Sequence, residues 1–363
     1  MMKKKAIIFS WLFVLFLIMT ACSSGSTSGT EGAGEEETRG NDSQEEITLK
    51  VATVTPEQDD DSVYVYKAWM DRVTELTDGQ IQFEWYPAGQ LGSLSDYITL
   101  VNNKAIDIGM FTFSAFPNEM PVAHNLFGLP GVFNSALEGS TVAWNLIQDD
   151  FLLQSDFLSN GVRPLVVTTT PPYDILSKEE IRVPADLKGV KLKTGSGMQT
   201  NLAEFIGATG VPLALPDVYE AYERGTVDAQ LAYASTDTSY GYREISNYGT
   251  LNIGASAGST GLLIGEPLFQ SLPVNVQEAM MQAGEEVSSS GGKAFDEETA
   301  AREQRWIADG DVNLFEPTPE EMAEWEKVFE EFNQYWLEQK NDEQLNQAYD
   351  MLLEEVEKFR ANN

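Results

Sequence analysis

The chain has 363 residues, with 57 Asp and Glu against 23 Lys and Arg, a net charge of −34, one cysteine and one histidine. Such an acidic excess argues against nucleic acid and anionic lipid surfaces as partners, because phosphate contacts need Lys and Arg. One cysteine leaves no intramolecular disulfide, and no Cys/His cluster of metal-site type exists, so neither a metal nor another cofactor is expected.

Lys3, Lys4 and Lys5 precede an apolar run from Ala6 to Met19 and small residues up to Ala21. This is the charge and length pattern of an export signal, too short to be read as a membrane span. Cys22 follows in Met19-Thr20-Ala21-Cys22, which resembles the lipobox of bacterial lipoproteins and implies cleavage before a lipid-modified cysteine. Loss of residues 1–21 would take the net charge to about −37. Residues 23–46 hold Ser, Gly, Thr and acids with almost no apolar group, and so read as a tether with a typical span of roughly 25–30 Å. The acidity resembles that of halophile proteins, whose self-repulsion is screened by salt.

From residue 47 on, the chain is longer than one hydrophobic core usually serves, so two lobes are expected. Ile47, Leu49 and Val51 alternate as a strand, and Val65, Trp69, Val73 and Leu76 follow at helical spacing until Asp78-Gly79. Ile81, Phe83 and Trp85 alternate again, and Ile106, Ile108 and Met110 form a further strand. Strand and helix in this order imply an α/β sheet with crossover helices. The scheme restarts at Gly161, with strands around Val162–Val167 and Val190–Leu192 and helices over Met198–Ile206 and Pro216–Arg224. Lys104-Ala105-Ile106-Asp107-Ile108 and Gly225-Thr226-Val227-Asp228-Ala229 echo each other, suggesting two lobes on one plan. Pro273–Asp309 reads as one long helix with Ser288-Ser289-Ser290-Gly291-Gly292 in its middle, where a bend is expected. The tail Pro319–Arg360 is expected to pack helices on the second lobe.

Several motifs could carry chemistry. Gly254-Ala255-Ser256-Ala257-Gly258 fits the G-x-S-x-G elbow of serine hydrolases, but that order needs a histidine after the serine, and His124 precedes it. His124 is expected to be a hydrogen-bonded structural residue. Gly195-Ser196-Gly197 lacks the GK[ST] end of a phosphate loop, although backbone N–H groups at that helix start could accept an anion. Asp59-Asp60-Asp61 lacks the spacing of a calcium loop and reads as a solvated acidic turn.

Four ordered pieces between residues 184 and 230 identify a resemblance: PADLKG at Pro184–Gly189, GVKLK at Gly189–Lys193, GATGVPLALPDVYEA at Gly207–Ala221 and GTVDAQ at Gly225–Gln230. Together with ITLKVATVTP at Ile47–Pro56, YPAGQLGS at Tyr86–Ser93 and NKAIDIGM at Asn103–Met110, they resemble the solute-binding proteins of tripartite ATP-independent (TRAP) transporters. The resemblance implies a two-lobed periplasmic-binding-protein-like α/β fold with a long hinge-spanning helix. It assigns 47–167 and 257–290 to the first lobe and 168–256 and 291–363 to the second. It also implies that the Ser288–Gly292 run is the hinge. The family pattern, carried over position by position, places Phe111, Thr112, Thr53 and Thr55 on the first lobe. It places Thr170, Tyr173, Lys193, Ser196, Gln230 and Tyr233 on the second. Lys193 stands where the family usually has an arginine that forks onto a carboxylate, and Ala232 where it usually has an asparagine. Lysine neutralises a carboxylate as a point charge without bidentate geometry. The function implied is a monomeric, lipid-anchored, extracytoplasmic receptor that captures a small organic acid or related polar solute for TRAP permease subunits, without catalysis. The alternatives are a sensor of the same fold and a surface hydrolase using Ser256.

Overall fold

The computed structural model describes residues 46–195, 197–214, 217–234, 241–310 and 312–363. The leader, Cys22, the tether, Ser196 and Pro216 lie outside them. Strands are numbered in chain order. The first sheet contains β1 (Ile47–Ala52), β2 (Ile81–Tyr86), β3 (Ile108–Phe111), β4 (Val162–Thr169) and β10 (Ser259–Gly265), in the order β2-β1-β3-β10-β4. The second contains β5 (Asp174–Ser177), β6 (Lys191–Thr194), β7 (Thr209–Pro212), β8 (Ala229–Ala232), β9 (Tyr248–Thr250) and β11 (Asn313–Phe315), in the order β7-β6-β8-β5-β9-β11.

The two sheets share one plan. In the first, β1 runs parallel to β2 and β3, and β10 and then β4 add antiparallel. In the second, β6 runs parallel to β7 and β8, β5 adds antiparallel to β8, and β9 lies antiparallel to β5. The echoed aliphatic-Asp pairs occupy equivalent places: Ile108 pairs with Val51 where Asp107 enters β3, and Ala229 with Leu192 where Asp228 enters β8. In each case the Asp backbone N–H donates to the neighbouring parallel strand, Asp107 to Lys50 O at 3.1 Å and Asp228 to Lys191 O at 2.8 Å. This is the two-lobe α/β fold that the alternation of strands and helices implied.

Two short segments join the sheets, Thr170–Tyr173 between β4 and β5 and Leu251–Gly258 between β9 and β10, and they pair with each other. Thr170 N donates to Gly258 O (3.1 Å), Tyr173 N to Ser256 O (2.8 Å) and Ala255 N to Tyr173 O (2.9 Å). Gly258 N in turn donates to Thr170 Oγ1 at 2.8 Å. A Cβ on Gly258 would stand 3.0 Å from Tyr173 Oη and 3.1 Å from Thr170 Cγ2, so the ladder needs a glycine there.

The third connection is the helix Val274–Asp309, 36 residues without a break. The helix continues through Ser288–Gly292, and close packing also accounts for the small residues there. A Cβ on Gly284 would lie 2.2 Å from Leu165 O and 2.4 Å from Trp144 Cη2, and one on Gly292 would lie 2.6 Å from Ala136 O. Ser288 Oγ accepts from Val167 N at 3.2 Å, and Ser140 Oγ accepts from Thr169 N at 2.8 Å, so side chains satisfy the free edge of β4.

The tail departs from expectation as well. Helix Pro319–Lys340 starts on the second lobe, where Trp325 Nε1 donates to Arg182 O at 2.9 Å. It ends on the first, where Asn333 Nδ2 donates to Pro130 O and Trp336 Nε1 to Asn125 O. The last helix, Glu343–Asn362, packs on the first-lobe helices Pro121–Leu126 and Ala136–Gln148, with Arg360 bonded to Glu138. Aromatic spacing showed that these helices bury a face but not which lobe receives it.

In an exposed helix Gly→Ala stabilises by up to about 1 kcal/mol, whereas overpacking costs about 1–3 kcal/mol. Gly284→Ala should therefore lower the urea midpoint without changing the m-value.

Candidate functional site

In two-sheet α/β proteins ligands lie beyond the carboxyl ends of the strands. Here the carboxyl end of the second sheet holds Lys193 on β6 and Gln230 on β8, register partners in neighbouring parallel strands. Side chains at paired positions point to the same face. Lys193 is 3% exposed, and its burial lowers its pKa to about 8 with no opposing charge or hydrogen bond among the described residues. Gln230 is wholly buried, and among the described residues neither amide atom, Nε2 or Oε1, has a hydrogen-bond partner. An unsatisfied buried polar group costs about 1–3 kcal/mol, so such a pair belongs at a site held for a ligand more readily than in a core.

Tyr173 and Tyr233 form a ring pair beside it, with centroids 5.3 Å apart and planes at 36°. Both rings are enclosed by protein yet keep accessible surface, as side chains in a cleft wall do. Desolvation pushes the Tyr173 phenol up to about 12 and the Tyr233 phenol well above its usual value, so both are neutral donors at pH 7. Tyr173 also lines a small cavity of about 110 Å³ between the lobes, with Phe113, His124 and Phe127 on one side and Gly195, Met198 and Gln199 on the other. Phe113 and Phe127 stack at 4.7 Å and 20°.

The other expected site residues fall elsewhere. Phe111 is fully buried in the first-lobe core, in ring contact with Phe157 and Phe113, so the aromatic facing the cavity is Phe113. Thr112 Oγ1 pairs with Ser114 Oγ at 3.2 Å. Thr170 Oγ1 is engaged in the crossing ladder. Thr53 Oγ1 accepts from Trp85 Nε1 at 3.1 Å, and Thr55 Oγ1 bonds Ser62 Oγ at 2.9 Å. Ser196 lies outside the described residues. Gly195 N, at the helix start that could have received an anion, donates instead to Gln199 Oε1 at 2.7 Å.

Ser256 lies in the crossing segment, where its Oγ donates to Gly128 O at 3.0 Å and receives Gln199 Nε2 at 3.4 Å. His124 Nδ1 is bonded to Phe113 O at 3.1 Å. The serine therefore links a first-lobe loop to the second-lobe helix Gly197–Ile206, and no base is bonded to it. Among the described residues no group of three or more His, Cys, Asp or Glu is placed to hold a metal ion.

The model of the DctP family, bacterial extracellular solute-binding protein, family 7, matches residues 51–340. The chain belongs to that family. It is 25% identical over 256 residues to the 2,3-diketo-L-gulonate-binding periplasmic protein YiaO of Escherichia coli, covering 70% of this chain and 75% of YiaO. The fold is similar to that of a marine-metagenome TRAP solute-binding protein specific for aromatic acids, crystallised with 3-hydroxybenzoate (TM-score 0.76, 22% identity, 86% of this chain and 99% of that one). It is also similar to a TRAP solute-binding protein of Rhodoferax ferrireducens with copurified benzoate (TM-score 0.74, 23% identity, 86% and 98%).

As a DctP-family protein the chain is an extracytoplasmic solute-binding protein. Of the residues that the family pattern named, Lys193 and Gln230 are register partners and Tyr173 and Tyr233 a ring pair; it did not mark Phe113, Phe127 or Gln199, which line the small cavity with Tyr173. Phe113 lies two residues beyond the end of β3, where a turn and not the strand sets direction, and nothing local distinguishes it from Phe111.

The lowered pKa of Lys193 has a measurable sign. The folded state releases this proton near pH 8 and the unfolded state near 10.5, so between these values the unfolded chain binds more protons and stability rises with pH. Lys193→Met should be more stable than the parent below pH 8, and the difference measured by urea unfolding should shrink from pH 8 to 10.

Proposed function

We propose that this protein is the lipid-anchored receptor of a TRAP-type importer, which traps a small organic acid between its lobes and presents it to membrane permease subunits. The observation that carries the reading is Lys193: a buried ammonium that among the described residues has no counter-ion, beside an amide that has no partner there, at the carboxyl end of the second sheet. A ligand carboxylate supplies the missing charge, Gln230 and the Tyr173 and Tyr233 hydroxyls supply directional hydrogen bonds, and the rings offer an apolar wall. Relatives of this fold crystallised with benzoate and 3-hydroxybenzoate support the ligand class.

A solute that touches both lobes binds the closed arrangement better and so shifts the population toward it. Rotation would occur about the Thr170–Tyr173 and Leu251–Gly258 crossings. No reacting group is needed, and Ser256 acts as a structural link. Cleavage before Cys22 and its acylation would hold the domain at the outer face of the cell membrane on the acidic tether of residues 23–46, within reach of the permease. The strong acidity suits a salt-rich exterior.

Mass spectrometry of the small molecule released when the purified protein is denatured should find a carboxylic acid. Lys193→Ala should weaken that acid by about tenfold to a hundredfold in titration calorimetry, the worth of a charge-assisted hydrogen bond. An unchanged Kd would remove Lys193 from the site. Cys22→Ser should move the protein from the membrane fraction to the medium, and retention on the membrane would refute the lipid anchor.

A further inference from the structure

The wall of the small cavity between the lobes contains the chain's one histidine. Packing fixes its place. The helix Pro121–Leu126 that carries His124 is held by Asp156, whose Oδ2 accepts from Ala123 N at 2.7 Å, and by Trp336, whose Nε1 donates to Asn125 O at 3.2 Å. The ring is turned so that Nδ1 lies 3.1 Å from Phe113 O. A carbonyl oxygen only accepts, so Nδ1 carries the proton, and the neutral ring keeps a bare lone pair on Nε2. Among the described residues Nε2 has no hydrogen-bond partner, and the residue is half-buried.

The rest of the wall is engaged within the protein or is of the opposite kind. Ser259 Oγ accepts from Phe113 N at 3.3 Å, and Ser114 Oγ pairs with Thr112 Oγ1. Gly258 N donates to Thr170 Oγ1 and Gly195 N to Gln199 Oε1, while Gln199 Nε2 reaches Ser256. The groups equipped to meet a carboxylate are donors: the Tyr173 hydroxyl, in the wall itself, and Lys193, whose Nζ lies 3.9 Å from the place a Cβ would take on the wall residue Gly195. His124 Nε2 is an acceptor only, so it has no use for a carboxylate. The two walls also meet: a Cβ on first-lobe Gly128 would stand 3.2 Å from second-lobe Met198 Sδ, and both residues line the cavity. A small solute anchored at Lys193 therefore comes within reach of the histidine.

We propose that His124 is a specificity-determining residue of the solute site: its Nε2 accepts a hydrogen bond from a neutral donor, a hydroxyl or an amide N–H, that the solute bears apart from its carboxylate. One ring then has two roles, Nδ1 orienting Phe113 and Nε2 reading the solute. A hydrogen atom at that place would leave the lone pair unmatched, and a methyl ether or a second carboxylate would set another lone pair against it. Sites built to bond a hydroxyl reject the analogue that lacks one. This rests on the carboxylate-receptor reading above and narrows it to hydroxy acids and amide-bearing acids.

The test is a thermal-shift panel followed by titration calorimetry on matched acids: hydroxyacetate, hydroxybutyrates and hydroxybenzoates, each beside its deoxy parent and its methyl ether. The hydroxy member should bind about tenfold tighter or more than either analogue, the worth of one buried hydrogen bond. In His124→Asn the amide nitrogen replaces Nδ1 and keeps the Phe113 bond without an acceptor at the Nε2 place, so the ratio should fall to within about threefold. His124→Gln, whose amide oxygen can stand at the Nε2 place, should restore most of it. Each ratio is taken within one variant, so a general loss of affinity cancels. Equal binding of all three members by the parent, a ratio kept in His124→Asn, tighter binding of dicarboxylates than of hydroxy acids, or loss of every ligand in both variants overturns the role of His124. Lys193→Ala weakening all members alike then keeps the carboxylate reading. Hits insensitive to Lys193→Ala, or no hit from any class, overturn both.

Discussion

The short ladder between the two chain crossings governs the rest of the molecule. Thr170–Tyr173 and Ala255–Gly258 are bonded to each other before either reaches its sheet, so the two lobes share a single jointed strap. The strap presents Tyr173 to the cleft and turns Ser256 toward Gly128 and Gln199. It depends on Gly258, whose missing side chain leaves room for the Tyr173 hydroxyl. The segment that carries Tyr173 is thus the same piece of backbone that joins the two sheets.

Both sheets present the carboxyl ends of an equivalent set of strands to the space between them. On the second lobe that position carries Lys193 and Gln230, and among the described residues Lys193 has no ion-pair partner. Structural ion pairs in this protein look different: Arg163 forks onto Glu266 at 2.6 and 2.8 Å, and Arg182 onto Glu321 at 2.6 and 3.0 Å. The contrast is between charges paired within the fold and a buried lysine that has no such partner among the described residues.

How much of this the sequence disclosed depends on the kind of information each feature needs. Strand alternation around Ile47–Val51 and Ile81–Trp85 reports local burial, and it located β1 and β2 well. Lys193 and Gln230 could be set on adjacent strands because the family pattern fixes their register. Phe111 was misplaced because strand parity ends where the turn begins. The Ser288–Gly292 run was read as a bend since serine and glycine weaken an isolated helix; here the helix continues through it and the small residues also admit close neighbours, a tertiary fact with no local sign.

That run has a mechanical consequence. Its serines and glycines lock the long helix to β4 and to the helix Ala136–Gln148, and Asp296 extends the attachment by accepting from Ala136 N and Leu137 N. Arg302 still reaches the first lobe through Asp60, and only at Trp306 does the helix enter the core of the second. The helix is therefore an outrigger of the first lobe, about 54 Å long at 1.5 Å per residue, and its end, from Thr299 on, is the part that faces the second.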